Sequence, residues 1–462
     1  MPIKFSSLRF LRKNDKKGRF SWKIANKIGN IGGKRMKAKC LIGFMVCTIV
    51  IGSIGSISLY AQKTTVNFWS QYNRPADKNA VEYIMDIFEK ENPDVKIAHR
   101  IMPNLEADQM LRTAFAGGNP PDVSISEDPY TMVKTFLAGQ LADLTEWYEQ
   151  YGDRFSEGAK LSFRTDGRYF GIPTTMVTEA HMFYNKKLAE TLGIAEPQDY
   201  DEFLEACETA KGHGFTAVGL GNQGGWPGLH WYQAFLGETV GAEMVNTIIN
   251  RSEPDVGPKW TDPGFVSAAR YFDELHKRGY VSEGVAMMSY DASKMEYLGG
   301  KALFFFTGSW YTSFDFPPDF EWGFFRFPHI VGEVGYSRND GTVDYLAKLQ
   351  VASATANLDL ALKFLEVFSR SEVMYSSFFK FGGHMPAVIG AVPAEELGDF
   401  QKAAIAFMQE TTGSYGFIET QMPPAVGFGG LYNGTTAISA GEMTPLEFAQ
   451  NLEKIHVEEI SR

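Results

Sequence analysis

The amino-acid sequence predicts an α/β fold whose sheets are parallel and doubly wound. Short apolar runs alternate along the chain with segments whose apolar residues recur at helical spacing. Strands and helices that alternate in this way form parallel sheets covered by helices on both faces. The chain has 462 residues, 44% of them hydrophobic and 21% charged, which is ordinary for a globular protein of two or more domains.

The first strands and the first helix are predicted near the start of the globular part. Residues 66–69, VNFW, form one apolar strand, and residues 95–101 form the next. Between them the apolar side chains fall at i, i+3, i+4 and i+7, which predicts a helix with one buried face that ends at Asn92-Pro93. The residues of this face are Val81, Ile84, Met85 and Phe88.

Helix start and stop signals continue the alternation. A short helix ends at Gly117-Gly118, and a strand follows over residues 123–126. Asp128-Pro129 then begins a helix that Gly139 closes. Two further helix starts are predicted by pairs with the spacing of a capping box, Asp199 with Glu202 and Thr444 with Glu447.

Residues 166–188, DGRYFGIPTTMVTEAHMFYNKKL, predict two strands joined by a polar crossing. Asp166-Gly167 supplies a tight turn, and residues 169–172 form an extended segment that Pro173 ends. Residues 180–184 form a second extended segment before a helix start. The stretch has no conventional catalytic signature, and we interpret it as a recognition scaffold.

The chain carries six segments whose order matches that of a known family. They are VNFW at 66–69, FEKENPDV at 88–95, AGGNPPDV at 116–123, the stretch at 166–188, GGKALFFFTGSW at 299–310 and ALKFLEVF at 361–368. In this order they resemble the family 1 extracellular solute-binding proteins, the maltose-binding-protein-like sugar-capturing subunits of ABC importers. The resemblance covers nearly everything after about residue 63. It depends on the order of the six segments, because each segment alone is too short to be specific for a family.

The resemblance implies a two-lobed periplasmic binding protein type II fold, each lobe a doubly wound sheet flanked by helices and joined by three hinge crossings. The crossings are expected near residues 175–179, 343–348 and 384–390. The expected lobes are 62–177 with 347–384 and 178–346 with 385–462. The resemblance also implies a monomer that binds a carbohydrate in the periplasm and works with ABC permease subunits of the inner membrane.

Residues 1–61 predict an export signal with a basic N-terminal extension. They hold 13 Lys or Arg and one Asp, while residues 41–59 carry no charge. A basic region before an apolar run is the charge order of an export signal or a signal anchor. Ala61 offers a small residue before a cleavage point, and translation from Met36 would give a signal with an ordinary short basic region. An uncleaved membrane anchor is the alternative.

The rest of the chain is acidic and nearly free of cysteine. It holds 31 basic and 54 acidic residues. This balance argues against a nucleic-acid partner, because phosphates need Lys and Arg. Cys40 and Cys47 belong to the predicted signal, so Cys207 is alone in the predicted mature chain and an internal disulfide is excluded.

Aromatic side chains are the first candidates for sugar contact, because a pyranose has a C–H face that packs on an aromatic plane. Trp69 ends the first strand, where it faces a ligand crevice or caps the core. Trp310 follows an apolar strand and two small residues, and in the resembled family an aromatic here stacks on sugar. Of Trp226 and Trp231 in a glycine-rich segment, one is expected to line the cleft and the other to pack the second lobe. We interpret Trp147, Trp260 and Trp322 as structural.

Polar candidates would form hydrogen bonds with sugar hydroxyls. Glu127 and Asp128 follow a strand end, where Asp128 can instead cap a helix. Glu179 lies at the first lobe crossing, as a ligand contact or a solvated side chain, and His384 lies at the third, as a contact or an ordinary hinge histidine. The amide candidates are Gln71, Asn73 and Asn222.

The sequence carries no signature of a metal site, a cofactor or a catalytic centre. It has no HExxH or similarly close histidine pair, no cysteine cluster, no GxxxxGK[ST] and no GxSxG. We therefore expect a binding protein without cofactor or metal, and not an enzyme.

Two alternatives stay open. One is a secreted carbohydrate-active enzyme, because paired carboxylates beside aromatics also describe a glycosidase cleft. The other is a membrane-anchored sugar sensor with the same fold.

Overall fold

The structure is a computed structural model that describes residues 63–103, 106–311, 316–337, 339–346 and 348–462. The predicted export signal at residues 1–61 lies outside these residues. Within the described residues, strands and α-helices alternate singly up to residue 137 and then occur in runs of one kind, with shorter 3₁₀ and π segments between them.

The described part of the chain contains thirteen strands. They are β1 (Thr64–Ser70), β2 (Val95–Ile101), β3 (Val123–Ser126), β4 (Arg164–Thr165), β5 (Arg168–Tyr169), β6 (Thr175–Glu179), β7 (His181–Asn185), β8 (Thr216–Val218), β9 (Ala302–Phe306), β10 (Trp322–Arg326), β11 (Gly341–Leu346), β12 (Lys348–Val351) and β13 (Ser414–Tyr415).

The same residues contain seventeen α-helices. They are α1 (Pro75–Glu91), α2 (Ala107–Ala116), α3 (Pro129–Leu137), α4 (Thr145–Tyr151), α5 (Glu157–Leu161), α6 (Lys186–Leu192), α7 (Tyr200–Gly212), α8 (Trp226–Thr239), α9 (Gly241–Ile249), α10 (Pro263–Lys277), α11 (Tyr290–Leu298), α12 (Leu358–Phe368), α13 (Ser371–Met374), α14 (Lys380–Gly382), α15 (Asp399–Glu410), α16 (Asn433–Ser439) and α17 (Pro445–Ile460). Two π-helical segments, Tyr375–Phe379 and Ala425–Tyr432, precede α14 and α16.

The helix ends predicted from local signals are confirmed. The extended segment expected over residues 169–172 is shorter than predicted, since it corresponds to the two-residue strand β5, and the expected polar crossing contains the strand β6, which pairs with β11. Helix α1 begins with Pro75, whose missing N–H is not needed in the first turn, and ends before Asn92. Helix α17 begins with the predicted capping box: the Glu447 carboxylate accepts from the Thr444 amide at 2.9 Å, and the Glu447 amide donates to the Thr444 hydroxyl at 3.3 Å. Local side-chain chemistry therefore sets these helix ends.

Two four-stranded sheets form the centres of two hydrophobic cores. The first sheet has the order β12-β3-β1-β2, and the second has the order β10-β7-β9-β8. Helices α1 and α12 pack on the first sheet, where the rings of Phe68 and Phe364 lie 5.2 Å apart, edge to face. Helices α7, α8 and α10 pack on the second sheet through side chains that include Phe203, Trp231 and Phe272.

The prediction of parallel sheets is correct for some strand pairs only, because both sheets are mixed. β1 is parallel to β2 and to β3, but β12 is antiparallel to β3. In the second sheet β7 is antiparallel to β9 and to β10, and only β8 and β9 are parallel. The cause is the path of the chain: β11 returns antiparallel to β6, so the chain re-enters the first sheet opposite to the direction in which it left.

A third sheet, with the order β13-β11-β6, joins the two cores. β6 leads through Ala180 into β7 of the second sheet, and β11 leads back into β12 of the first. The two connections therefore lie side by side. The first core also contains Val388 and Ala391, beyond residue 384 where the sequence analysis ended lobe 1. The lobe boundaries themselves stay a prediction.

Candidate functional site

A cavity of about 600 Å³ lies between residues of the two cores. On the side of the first sheet, Gln71 and Glu127 follow directly on β1 and β3, so the carboxyl ends of two neighbouring parallel strands meet there. Helix α2 adds three further polar side chains to this side. The residues of α2 are Asp108, Gln109 and Arg112, and the opposite side is formed by Gln223, Gly224, Trp226, His230, Trp310, Phe417, Glu419, Thr420, Phe428 and Tyr432.

Three aromatic side chains surround His230 and form what we call the aromatic wall: Trp226, Trp310 and Phe417. The imidazole stacks on Phe417, with ring centroids 4.8 Å apart and an interplanar angle of 13°. Trp226 and Trp310 present their rings to the imidazole edge to face, at 5.1 and 5.6 Å. His230 is thus the centre on which the three rings pack.

Trp310 is held in the wall by the short loop after β9. The Ser309 amide donates to the backbone oxygen of Thr178 at 2.8 Å, and the Thr178 amide donates to the Ser309 hydroxyl at 2.9 Å. A Cβ at Gly308 would lie 2.1 Å from the indole of Trp310, so the ring packs where only glycine leaves space. The loop is therefore fixed to the connecting strand β6.

Trp226 is placed by the start of α8. Gly225, which precedes the helix, has φ +77, and a Cβ there would lie 2.6 Å from Cβ of Tyr432. Glycine is required at this position both for the positive φ and for the close approach. Asn222 supports the same helix start, because its Oδ1 accepts a hydrogen bond from the Gly228 amide at 2.8 Å.

A buried ionic group is centred on His230. His230 Nδ1 is 2.6 Å from Glu179 Oε1, and His230 Nε2 is 3.6 Å from Glu419 Oε1. Burial alone would lower the pKa of His230, but the two carboxylates outweigh it and raise the pKa to about 10. The imidazole is therefore an imidazolium at neutral pH. In the described residues, Oε2 of Glu179 and Oε2 of Glu419 are buried without a hydrogen-bond partner.

The opposite side of the cavity is also rich in carboxylates. Asp108 accepts hydrogen bonds from the Ser126 hydroxyl at 2.7 Å and from the Glu127 amide at 3.3 Å. Burial and the neighbouring carboxylate of Asp128 nevertheless raise the pKa of Asp108 to about 6. Arg112 compensates Asp128 through an ion pair of 3.0 Å.

Four of the residues predicted from sequence line the cavity: Gln71, Glu127, Trp226 and Trp310. Glu179 is buried in contact with His230. These residues come from distant parts of the chain, and the fold brings them to one place. Their contact with a ligand stays a prediction.

Three predicted residues lie outside the cavity lining and have structural partners. Trp69 is half-buried against Met102 and Leu111, with the Arg100 guanidinium 4.5 Å from its ring centroid. Asp128 caps α3 by accepting from the Thr131 amide at 2.9 Å. Asn222 is buried at the start of α8.

The other three predicted residues also lie outside the lining. Trp231 is fully buried in the second core, 5.1 Å from Phe306 by ring centroids. It is the member of the Trp226 and Trp231 pair that packs the core. His384 Nε2 lies 3.0 Å from Asp77 Oδ1, on the first-sheet side. Asn73 is exposed.

Sequence reasoning missed several residues of the cavity, above all His230, Glu419, Phe428 and Tyr432. His230 lies four residues after Trp226 on α8, so helical spacing could have placed both on one face. Phe428 and Tyr432 belong to the π-helical segment Ala425–Tyr432, a type of structure that often occurs at functional sites. No simple sequence signal announces such a segment.

No helix in the described part of the chain is long and apolar enough to cross a membrane. No group of three or more His, Cys, Asp or Glu side chains among these residues could hold a metal ion.

Two α/β cores joined by paired strands, with a lined cavity between them, define a two-lobed binding protein. Residues 70–375 match the family described as bacterial extracellular solute-binding protein, and the chain belongs to this family. The family resemblance and the two-lobed fold expected from the sequence are confirmed.

Similar proteins are known from both sequence and structure. The multiple sugar-binding protein of Streptococcus mutans is 25% identical over 332 residues, which cover 71% of this chain and 76% of that protein. A chitin oligosaccharide binding protein of known structure has a TM-score of 0.78 and 22% identity over 87% of this chain and 100% of its own. The binding protein RafE, solved in complex with raffinose, has a TM-score of 0.71 and 22% identity, over 87% of this chain and 100% of its own.

Proposed function

We propose that this solute-binding protein closes on a mono- or oligosaccharide and delivers it to the permease of an ABC importer. The observation that carries the proposal is the composition of the cavity: Trp226 and Trp310 line one side, while the amide of Gln71 and the carboxylate of Glu127 line the other. A sugar needs both kinds of surface, because its C–H face packs on aromatic planes and its hydroxyls need hydrogen-bond partners.

The size of the cavity and the similar proteins support a saccharide ligand. At about 600 Å³ the cavity lies within the range of roughly 300–1,000 Å³ that is typical of small-molecule sites. The similar proteins are named for multiple sugars and for chitin oligosaccharide, and one is complexed with raffinose. The carboxylates and amides of the lining would accept and donate hydrogen bonds to the hydroxyls of such a ligand.

The two sides of the cavity suggest how binding is coupled to closure. Gln71 and Glu127 follow strands of the first sheet, whereas Trp226 begins α8 and Trp310 follows β9 of the second sheet. A sugar touches both sides only when the lobes are closed. Its affinity for the closed state then shifts the population toward closure, and the permease would recognise the closed shape.

Calorimetric titration with a defined panel tests the proposal. The panel contains raffinose, melibiose, N,N′-diacetylchitobiose, xylotriose and D-galactose, with citrate as a polar non-sugar control. We expect saturable binding of at least one sugar and none of citrate. Failure of all five sugars to bind to folded protein would contradict the proposal.

The proposed function includes no turnover. Chromatography of each bound sugar after long incubation should return it unchanged. Hydrolysis that is lost in both Glu127→Gln and Asp108→Asn would favour the carbohydrate-active enzyme instead, because a glycosidase needs a pair of carboxyl groups beside the sugar.

Export to the periplasm is part of the proposal. The extracellular family implies that the chain is exported, and the run at residues 41–59 followed by Ala61 predicts a mature chain that begins at Gln62. N-terminal sequencing of the exported protein measures this directly. Protein that keeps the apolar run and stays with membranes would establish the anchored sensor.

A further inference from the structure

A hydrogen bond crosses from the first lobe to the second beside the cavity. Arg74 precedes α1, on the first-sheet side, and Trp310 follows β9, on the second-sheet side. Arg74 Nη1 donates to the backbone carbonyl oxygen of Trp310 at 3.2 Å. Arg74 does not belong to the cavity lining, so this contact is made to the protein and not to the space that a ligand would fill.

The guanidinium is held in a fixed orientation by its own lobe. Arg74 Nε and Nη2 donate to the two carboxylate oxygens of Asp77 at 2.9 and 3.1 Å, and Nη2 also contacts His384 Nε2. Burial acts to raise the pKa of Asp77, but hydrogen bonds from His384 and Arg74 lower it to about 2. Asp77 is therefore ionised at every physiological pH and anchors Arg74 as a bidentate partner.

The carbonyl group that accepts this bond is equally well placed. The preceding residue, Ser309, exchanges two hydrogen bonds with Thr178 of the connecting strand β6, at 2.8 and 2.9 Å. The indole of Trp310 packs against Gly308, within the aromatic wall. Donor and acceptor are both rigid, so the bond is sensitive to the relative position of the lobes.

We propose that Arg74 is a positioning residue that latches the two lobes in the closed state and fixes the loop of Trp310 at the ligand. The proposal rests on the proposed function, because closure on a ligand is what the latch would favour. A bond between lobes that exists only in the closed state stabilises that state by its own free energy. Its loss lowers the competent population and with it the apparent affinity.

If Arg74 acts as a latch, its loss should affect all sugars equally, whereas the loss of a residue that touches the ligand would affect different sugars differently. Arg74→Ala should weaken every sugar by the same factor, about tenfold, because a half-exposed charged hydrogen bond is of that strength. It should also accelerate dissociation. Arg74→Lys should restore part of the affinity, since an ammonium keeps the charge but cannot bind Asp77 and the carbonyl as a fork.

Arg370→Ala is the matched control. Arg370 is also partly exposed and forms ion pairs of 2.6 Å with Glu91 and 2.7 Å with Glu366, which lie on α1 and α12, the two helices that pack on the first sheet. Its loss should change the melting temperature at least as much as Arg74→Ala and leave the affinities unchanged. The affinities are measured by titration calorimetry with the panel sugars, and the dissociation rates by stopped-flow tryptophan fluorescence.

Small-angle X-ray scattering of the sugar-free protein tests the latch without any ligand, because it measures how far the lobes are separated. The latch predicts a larger radius of gyration for Arg74→Ala than for the unaltered protein. The latch would be overturned if Arg74→Ala left the sugar affinities unchanged or weakened them by factors that differ between sugars. An equal loss of affinity in Arg370→Ala would overturn it as well. If the unaltered protein binds no panel sugar, the proposed function fails, and identical scattering of the two proteins would then overturn the latch as well.

Discussion

His230 Nδ1 lies 2.6 Å from Glu179 Oε1, and this buried ion pair connects the aromatic wall of the cavity to the strand β6 that joins the lobes. Glu419 approaches the other ring nitrogen, at 3.6 Å. The imidazolium therefore has carboxylates at both of its donors and aromatic rings around its faces. A change at His230 affects the stability of the second lobe and the shape of the site together.

His230→Gln should destabilise the protein in a pH-dependent way. The folded pKa is about 10, above the value of about 6.5 in unfolded chains, so the stability from this group is complete below pH 6.5 and is lost as pH rises through 10. We expect a loss of roughly 3–5 kcal/mol at pH 6, since two buried carboxylates lose their cation, and a smaller loss at pH 9.

Urea unfolding at pH 6 and pH 9 measures the effect, with His456→Gln as the control. Burial lowers the pKa of His456 to about 4, so its contribution to stability is complete above pH 6.5 and changes in the opposite sense to that of His230. An equal loss at both pH values in His230→Gln would refute a protonated His230.

Trp310→Ala should weaken sugar binding by roughly 1–3 kcal/mol, about ten- to a hundredfold, because it removes an aromatic plane from the cavity. Trp322→Ala is the control: this half-buried indole stacks on Phe316 at 4.3 Å and lies outside the lining. It should lower the melting temperature and leave the affinity unchanged. Calorimetric titration beside thermal melting separates the two effects, and a much lower melting temperature with unchanged affinity in Trp310→Ala would show a core residue.

Asp108→Asn should stabilise the ligand-free protein above pH 6. Because the pKa of Asp108 rises from its ordinary value of 3.8 to about 6 on folding, the carboxyl group favours folding below pH 3.8 and this contribution is lost as pH rises through 6. Asparagine stays neutral, so we expect a gain on the order of 1–3 kcal/mol at pH 8. Asp86→Asn, at an exposed position of α1, should give no such gain in unfolding experiments. A loss of stability in Asp108→Asn at pH 8 would contradict the assignment.

Gly225→Ala should damage both the fold and the site. The new Cβ would meet Tyr432 at 2.6 Å in a backbone conformation with φ +77, which L residues rarely adopt. Gly193→Ala is the control, because it has φ +67 and no atom within 4 Å of the added Cβ. We expect a loss of about 1–2 kcal/mol for Gly193→Ala and a larger loss, with weaker sugar binding, for Gly225→Ala. Equal losses of stability with unchanged affinity would show that Tyr432 moves freely.

The sequence by itself determined those features that depend on near neighbours along the chain. The apolar face of α1, the capping box of Thr444 and Glu447, and the helix cap at Asp128 each involve residues three or four positions apart. The order of the six segments along the chain also determined the family and the two-lobed fold, although these segments are far apart in sequence. Trp310 could be proposed as a lining residue because it follows an apolar strand and the small residues Gly308 and Ser309, whereas the sequence left Trp226 and Trp231 as alternatives.

Only the tertiary structure decided which side chains meet. His230, Glu179 and Glu419 are distant in sequence and form one ionic group, and Arg74 bonds to Trp310 across the lobes. Trp231, five positions after Trp226 on α8, points into the core and not into the cavity, because a helix turns by 100° per residue. The antiparallel direction of some strands could also not be predicted from local sequence patterns. The direction of β12 depends on how the chain returns along β6, and a strand has the same alternation of side chains in either direction.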